Sequence, residues 1–166
     1  MHYVPQHVFD THEAICNDIL SDENISVKTK LIFPEKTIDC PNCIFDSFHG
    51  KSSGRYQTGG PIEFTGGICP YCNNAGILKT PQSDIINLRV YYDKASWRKI
   101  ANIEIDSGDA FCIGYIKDLI KIRQATDIIP SYEIKEYGEN VYVLAGSPVP
   151  WGFSKDKFFA AALTRK

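Results

Sequence analysis

Cys40-Pro41-Asn42-Cys43 and Cys69-Pro70-Tyr71-Cys72 are two copies of one four-residue knuckle, and together they hold four of the six cysteines in a chain of 166 residues. A lone Cys-x-x-Cys occurs in redox enzymes, in metal sites and by chance. Two of them flanking a polar, glycine-rich segment make a tetrahedral four-thiolate cage geometrically natural, with Cys40, Cys43, Cys69 and Cys72 as ligands and structural zinc as the metal. In each knuckle a proline follows the first cysteine. It fixes φ and removes one backbone donor, while the remaining amides of the turn can point at thiolate sulfur.

The segment between the knuckles shows why a metal is needed. Residues 45–61 are crowded with Ser, Gly and other turn formers and carry only scattered apolar side chains. Such a stretch cannot bury enough surface to offset its ordering entropy. Thiolate-bound zinc supplies about 10–16 kcal/mol of apparent binding free energy in small finger peptides, enough to decide whether a short module folds. After the second knuckle, Asn73, Asn74 and Gly76 suit a turn that needs positive φ and leads back toward a strand. The loop is longer than the commonest ribbon spacing of about 15–20 residues, so the reading is a zinc-ribbon-like hairpin inserted at residues 37–76.

Three alternatives stand beside the cage. A redox dithiol normally opens a helix after a strand, whereas polar turn residues follow Cys72 here. Disulfides call for an oxidising compartment, and the first residues show neither a basic region nor an apolar run of the kind that leads a chain to secretion. His49 could replace one cysteine, but its spacing matches neither knuckle, and a solvated loop histidine is the simpler account. Cys16, among Ile15, Ile19 and Leu20, and Cys112, between Phe111 and Ile113, read as small buried hydrophobes rather than nucleophiles.

The flanking chain reads as β-rich. Phe9, Ile15, Cys16, Ile19 and Leu20 fall at helical spacing over residues 9–22, with Asp10 and Glu13 in a capping-box pattern. Ile25, Val27, Thr29, Leu31 and Phe33 then alternate as a half-buried strand that Pro34 should end. Residues 84–93 place Ile86, Leu88, Val90 and Tyr92 on one face, and further strand-like runs cover residues 97–105, 110–116, 131–137 and 141–145. Residues 138–140 read as a hairpin connection. Residues 117–126 satisfy neither period cleanly and fit one helical turn or a continuation of strand, and residues 158–163 fit a helix or a buried final strand. The expected fold class is therefore mainly β: a small β-barrel or sandwich with an N-terminal helix, comprising residues 1–36 and 77–166, from which the zinc hairpin at 37–76 is an excursion between the first and second strands.

Composition and motifs narrow the function. Lys and Arg total 18 against 20 Asp and Glu, a near balance that argues against affinity built mainly on neutralising phosphates. No segment approaches the roughly 20 apolar residues of a membrane span, so a soluble protein without a membrane partner is expected. His2, His7, His12 and His49 accompany no nucleophile signature, and neither a phosphate-binding loop nor His-Glu-x-x-His is present. Glu104, Asp106 and Asp109 read as a solvated turn around Gly108. A non-enzyme is expected.

The knuckle segment from Cys40 through Ser53-Gly-Arg-Tyr56, Gly59-Gly-Pro61, Phe64 and Gly67-Ile-Cys-Pro-Tyr-Cys72 resembles a segment of tailed-bacteriophage virion proteins. The run Val141-Tyr-Val-Leu-Ala-Gly146, then Pro150-Trp-Gly-Phe-Ser-Lys-Asp-Lys157 and an apolar end, is similar to the C-terminus of phage head-closure, or head-to-tail connector, proteins. The resemblance implies a β-barrel subunit that assembles as a homo-oligomeric ring below the portal in the virion neck, is put together in the host cytoplasm, contacts portal or adaptor and tail proteins, and helps retain packaged DNA. The zinc insert departs from the simple closure pattern and puts the position in the neck in doubt. The alternative is a zinc-ribbon nucleic-acid-binding or regulatory protein, with Phe45, Phe48, Tyr56 and Phe64 stacking on bases and Lys51 and Arg55 on phosphate. Trp151, Gly152 and Phe153 would anchor a ring interface or cover one end of the barrel.

Overall fold

Alternating apolar side chains give a strand one face to bury, and a sheet closed on itself buries all such faces together. The structure, a computed structural model, describes residues 5–93, 109–130, 140–152 and 157–166. Its elements are α1 (Gln6–Ser21), β1 (Val27–Asp39), β2 (Cys43–Asp46), β3 (Lys51–Tyr56), β4 (Ile77–Tyr91), β5 (Ala110–Tyr115), a 3-10 turn (Ile116–Asp118), α2 (Leu119–Gln124), β6 (Asp127–Pro130), β7 (Tyr142–Leu144), β8 (Val149–Trp151) and β9 (Phe158–Arg165). Six strands follow in the order β5-β4-β1-β6-β7-β9, and β9 pairs back onto β5, which closes an antiparallel barrel. Strand β8 adds to β9 through Val149 opposite Ala160 and Trp151 opposite Phe158. Of the two β architectures expected, the barrel forms.

The chain divides into two compact units, Met1–Pro34 with Ser83–Lys166, and Glu35–Gln82. In the first, Leu31, Ile86, Leu88, Cys112, Ile128, Phe159 and Leu163 gather with their neighbours into the main core. Strand β9 explains why its own sequence is ambiguous. Phe159, Ala161 and Leu163 enter that core, while Ala160 joins Phe111 and Ile113, and Phe158 joins Cys16 and Leu20 of α1. Both faces are covered, so its apolar run carries no period of two.

Helix α1 begins earlier than the capping-box pattern indicates. Pro5 occupies the N-cap position with φ −62° and no side-chain cap, a role its fixed φ suits. Asp10 lies a full turn inside, where its carboxylate accepts from Gln6 Nε2 at 3.0 Å. Only Cys16 and Leu20 are buried on the helix, and Ile15, placed on the apolar face from sequence, is 53% exposed. Successive helical residues are 100° apart, so Ile15 points away from a stripe as narrow as this one.

Three further expectations are corrected. Pro34 does not end β1, which runs on to Asp39. Strand β6 pairs only with Thr29–Ile32 of β1, so Pro34 lies beyond that ladder, where a missing donor costs nothing. Strand β4 starts at Ile77 rather than at residue 84, and Tyr92 lies beyond its end, 56% exposed. At 117–126 the helical alternative forms, as the 3-10 turn and α2, and the short apolar Asp127–Pro130 forms a strand that sequence reading passed over. The strand-like runs at 97–105 and 131–137, most of the connection at 138–140, and Glu104, Asp106 and Phe153 lie outside the described residues. Asp109 is exposed and accepts from the Arg165 amide at 2.8 Å. Trp151 packs against the Phe111 and Cys16 clusters, and its ring lies 5.7 Å from that of His12.

Candidate metal centre

The two knuckles are held by strand ends. Cys40 directly follows β1, Cys43 opens β2, and Cys69 and Cys72 lie in the turns that precede β4. The Cys40 amide donates to Gly76 O at 2.9 Å, and Ala75 donates to Cys72 O at 3.0 Å. Asn73, Asn74 and Gly76 have φ of 49°, 69° and 75°, so the positive-φ turn expected after the second knuckle is present. Glycine is required at 76 by its positive φ and by space, since a Cβ there would lie 2.6 Å from Ser52 N. The Gly76 amide reaches Cys72 Sγ at 3.3 Å.

These contacts bring the four sulfurs within 4.8 Å of one another. Cys40 Sγ and Cys69 Sγ are 3.9 Å apart, and Cys43 Sγ and Cys72 Sγ 3.7 Å. A covalent S–S bond measures about 2.05 Å, so these pairs are not disulfides, and the knuckles converge instead of standing as two separate dithiols. A regular tetrahedron with metal–sulfur bonds of about 2.3 Å has edges of about 3.8 Å, which both pairs fit. Exposure is 1% for Cys40 and Cys43, 0% for Cys69 and 9% for Cys72, and Phe64 and Leu78 close the group from the side.

The electrostatics match a cation site. Burial pushes the Cys40 thiol up and the Cys43 thiol up to about 12. At Cys69 burial also opposes ionisation, but hydrogen bonds from the Asn42 side chain and the Cys72 and Tyr71 amides outweigh it and bring the thiol down to about 6. Several thiolates in so dry a space repel one another unless a positive ion lies among them. Donor type, spacing and burial thus suit a thiophilic ion.

Asn42 is the residue that sequence reading passed over. It is fully buried, its amide donates to Cys40 Sγ at 3.4 Å, and its Nδ2 donates to Cys69 Sγ at 3.5 Å. Its Oδ1 accepts from the Ile62 amide at 2.6 Å, and its backbone carbonyl accepts from Gln57 at 3.2 Å. One side chain therefore ties the first knuckle to a sulfur of the second and to the loop between them. The available signal was the contrast between Cys-Pro-Asn-Cys and Cys-Pro-Tyr-Cys, since the equivalent Tyr71 is 42% exposed.

The rest of the insert is a small antiparallel hairpin. Strands β2 and β3 pair Cys43 with Tyr56 and Asp46 with Lys51, with a bulge between Cys43 and Phe45. Tyr56 and Phe64 pack edge to face at 6.0 Å, and Tyr56 OH donates to Gly60 O at 2.9 Å. They furnish the module's own miniature core rather than a free stacking platform. His49 stays out of the cage. Its Nδ1 lies 2.6 Å from Asp46 Oδ2, and that hydrogen bond holds the Asp46 carboxyl below its ordinary range. Cys16 and Cys112 are buried apart from the cage, and burial pushes the first thiol up and the second up to about 12, which disfavours nucleophilic use. No helix among the described residues is long and apolar enough to cross a membrane. Comparison with known protein families, with curated proteins and with solved structures finds no match.

Proposed function

We propose that the protein is a non-catalytic assembly subunit of a tailed-bacteriophage virion, a head-to-tail connector of the neck, whose insert is kept in shape by one structural zinc ion. Cys40, Cys43, Cys69 and Cys72 would hold the metal, Asn42 and the Gly76 amide would support their sulfurs, and the ion would supply folding free energy rather than chemistry. The observation that carries the reading is a closed barrel with a four-cysteine module inserted between neighbouring strands β1 and β4, and with Phe48 and Ile68 of that module left 90% and 72% exposed. Exposed apolar side chains on a metal-held module suit an interface within an assembly. The near-balanced charge suits the wall of a channel that packaged DNA must pass without sticking. The resemblance of the knuckle segment and of the C-terminal run to connector sequences supplies the virion setting. Copies would form a ring, with portal or adaptor and tail proteins as neighbours.

The nucleic-acid-binding alternative is weaker because Tyr56 and Phe64 are engaged with each other and with the loop. Peptide mass spectrometry of purified virions, combined with imaging of the neck, tests the proposal. Density for a ring of barrels at the neck, together with the chain's peptides, is the expected result. Recovery of the protein only as a free species in the infected cell would overturn it. A DNA probe retained by the purified chain and released by salt would move the reading to the nucleic-acid alternative.

A further inference from the structure

The four sulfurs that would hold the metal are also four thiols, and their arrangement selects the disulfides they can close. Two edges of the cluster run between the knuckles, Cys43 Sγ to Cys72 Sγ at 3.7 Å and Cys40 Sγ to Cys69 Sγ at 3.9 Å. Each pair has to close by less than about 2 Å to reach the covalent length of about 2.05 Å. Asn42 already gathers the second pair, since its amide donates to Cys40 Sγ and its Nδ2 to Cys69 Sγ. A redox Cys-x-x-Cys pairs within itself at the start of a helix. Neither knuckle has that setting, because strand β2 starts at Cys43 and a turn with positive φ at Asn73 and Asn74 follows Cys72.

Access is graded among the four. Cys72 is the most exposed, at 9% against 1% or less for the other three. A small oxidant meets it first, and Cys43, 3.7 Å away, stands where a resolving thiol is needed. Cys16 and Cys112 belong to other buried clusters and do not compete.

We propose that the four cysteines hold the insert together in two chemical forms, as zinc ligands in reducing surroundings and, after oxidation by a peroxide, as the inter-knuckle disulfides Cys43–Cys72 and Cys40–Cys69. The Cys72 thiolate attacks one peroxide oxygen and becomes a sulfenic acid as hydroxide leaves. The Cys43 thiolate then displaces a second hydroxide from that sulfur and closes the first disulfide. Two electrons pass from the sulfur pair to the peroxide, and both hydroxides take protons from solvent to become water. Zinc, left with two ligands, departs, and a second peroxide oxidises Cys40 and Cys69 in the same way. Each disulfide joins residues 29 apart and ties the two knuckles that the metal tied, so the insert keeps its shape without the ion. A virion subunit meets both conditions, since it folds in a reducing cytoplasm and persists outside it. That setting rests on the connector reading above.

The test exposes the full zinc-loaded chain to hydrogen peroxide, reads released zinc with a chromophoric chelator, maps disulfides by mass spectrometry of unreduced peptides and follows amide exchange. One zinc should leave per chain as the Cys43–Cys72 and Cys40–Cys69 crosslinks form, and dithiothreitol with added zinc should reverse both changes. Protection of Glu35–Gln82 should stay within about threefold of the zinc form, whereas the reduced chain stripped by chelator loses it. Disulfides within a knuckle overturn the proposal, as do sulfinic acid at Cys72 without a crosslink, zinc retained under excess peroxide, or an oxidised insert that exchanges like the stripped one. Conversion in a protein absent from virions would leave the chemistry standing and defeat the connector reading. A neck protein whose insert unfolds on oxidation would do the reverse.

Discussion

Replacing Asn42 with alanine removes two hydrogen bonds. The side chain is fully buried, with Nδ2 donating to Cys69 Sγ at 3.5 Å and Oδ1 accepting from the Ile62 amide at 2.6 Å. A bond to a charged acceptor such as a metal-bound thiolate contributes about 1.5–3 kcal/mol, and the neutral bond from the amide of Ile62, a residue 45% exposed, about 0.5–1.5 kcal/mol. Partial relaxation of the 57–62 loop recovers some of this, which leaves about 3 kcal/mol, or about 100-fold in zinc affinity. Competition against a chromophoric chelator measures that directly on the full chain. Asn42→Asp sharpens the test, because it restores an acceptor for Ile62 but loses the donor to Cys69 and sets a carboxylate beside the sulfurs. It should bind zinc more weakly than Asn42→Ala. The half-exposed Tyr71, at the equivalent place in the other knuckle, should tolerate alanine with less than about a threefold change. Asn42→Ala within threefold of wild type, or Asn42→Asp tighter than Asn42→Ala, would refute the bridging role.

Gly76→Ala forces a side chain onto φ +75° and within 2.6 Å of Ser52 N, a cost of about 3 kcal/mol to the insert. Hydrogen exchange should then show lost protection in Glu35–Gln82, with the β9 amides still protected. Phe159→Ala empties a fully buried site in the main core and should lower stability by about 3–5 kcal/mol in urea unfolding, a large share of the usual total of about 5–15 kcal/mol. Asp84 accepts from Lys121 Nζ at 2.9 Å, and that hydrogen bond holds its carboxyl below the ordinary range. A depressed folded-state pKa stabilises above the unfolded value of about 3.9 and is lost as pH falls through the folded one. Lys121, raised by Asp84 and then by Asp118, adds a contribution lost only above its ordinary value of about 10.4. Lys121→Met should therefore flatten the acid limb of the melting-temperature profile below about pH 4, by lowering the plateau near neutrality by the small amount that a half-exposed ion pair contributes while leaving the acid end unchanged.

What could be read in the sequence was local chemistry. The Cys-Pro-x-Cys knuckles and the Asn73-Asn74-x-Gly76 turn carry their geometry within a few residues, and the four sulfurs and the positive φ values are found where that chemistry places them. Strands with one wet face were also legible, as with Ile86, Leu88 and Val90 of β4. Elements whose identity depends on distant partners were not. Strand β9 is covered on both faces by different clusters, β6 is four residues long and ends in Pro130, and Pro34 is harmless only because β6 stops pairing at Ile32. Asn42 was hidden for the same reason, since its partners Cys69 and Ile62 lie 27 and 20 residues away.

Metal analysis by native mass spectrometry tests the central claim, that four cysteines hold one structural zinc ion that orders the insert. One zinc per chain is expected, lost in the Cys69→Ser, Cys72→Ser double variant. Chelation should unfold Glu35–Gln82 while the barrel amides keep their protection from exchange. A chain that binds no stoichiometric metal, or that keeps its zinc in the double variant, would contradict the account.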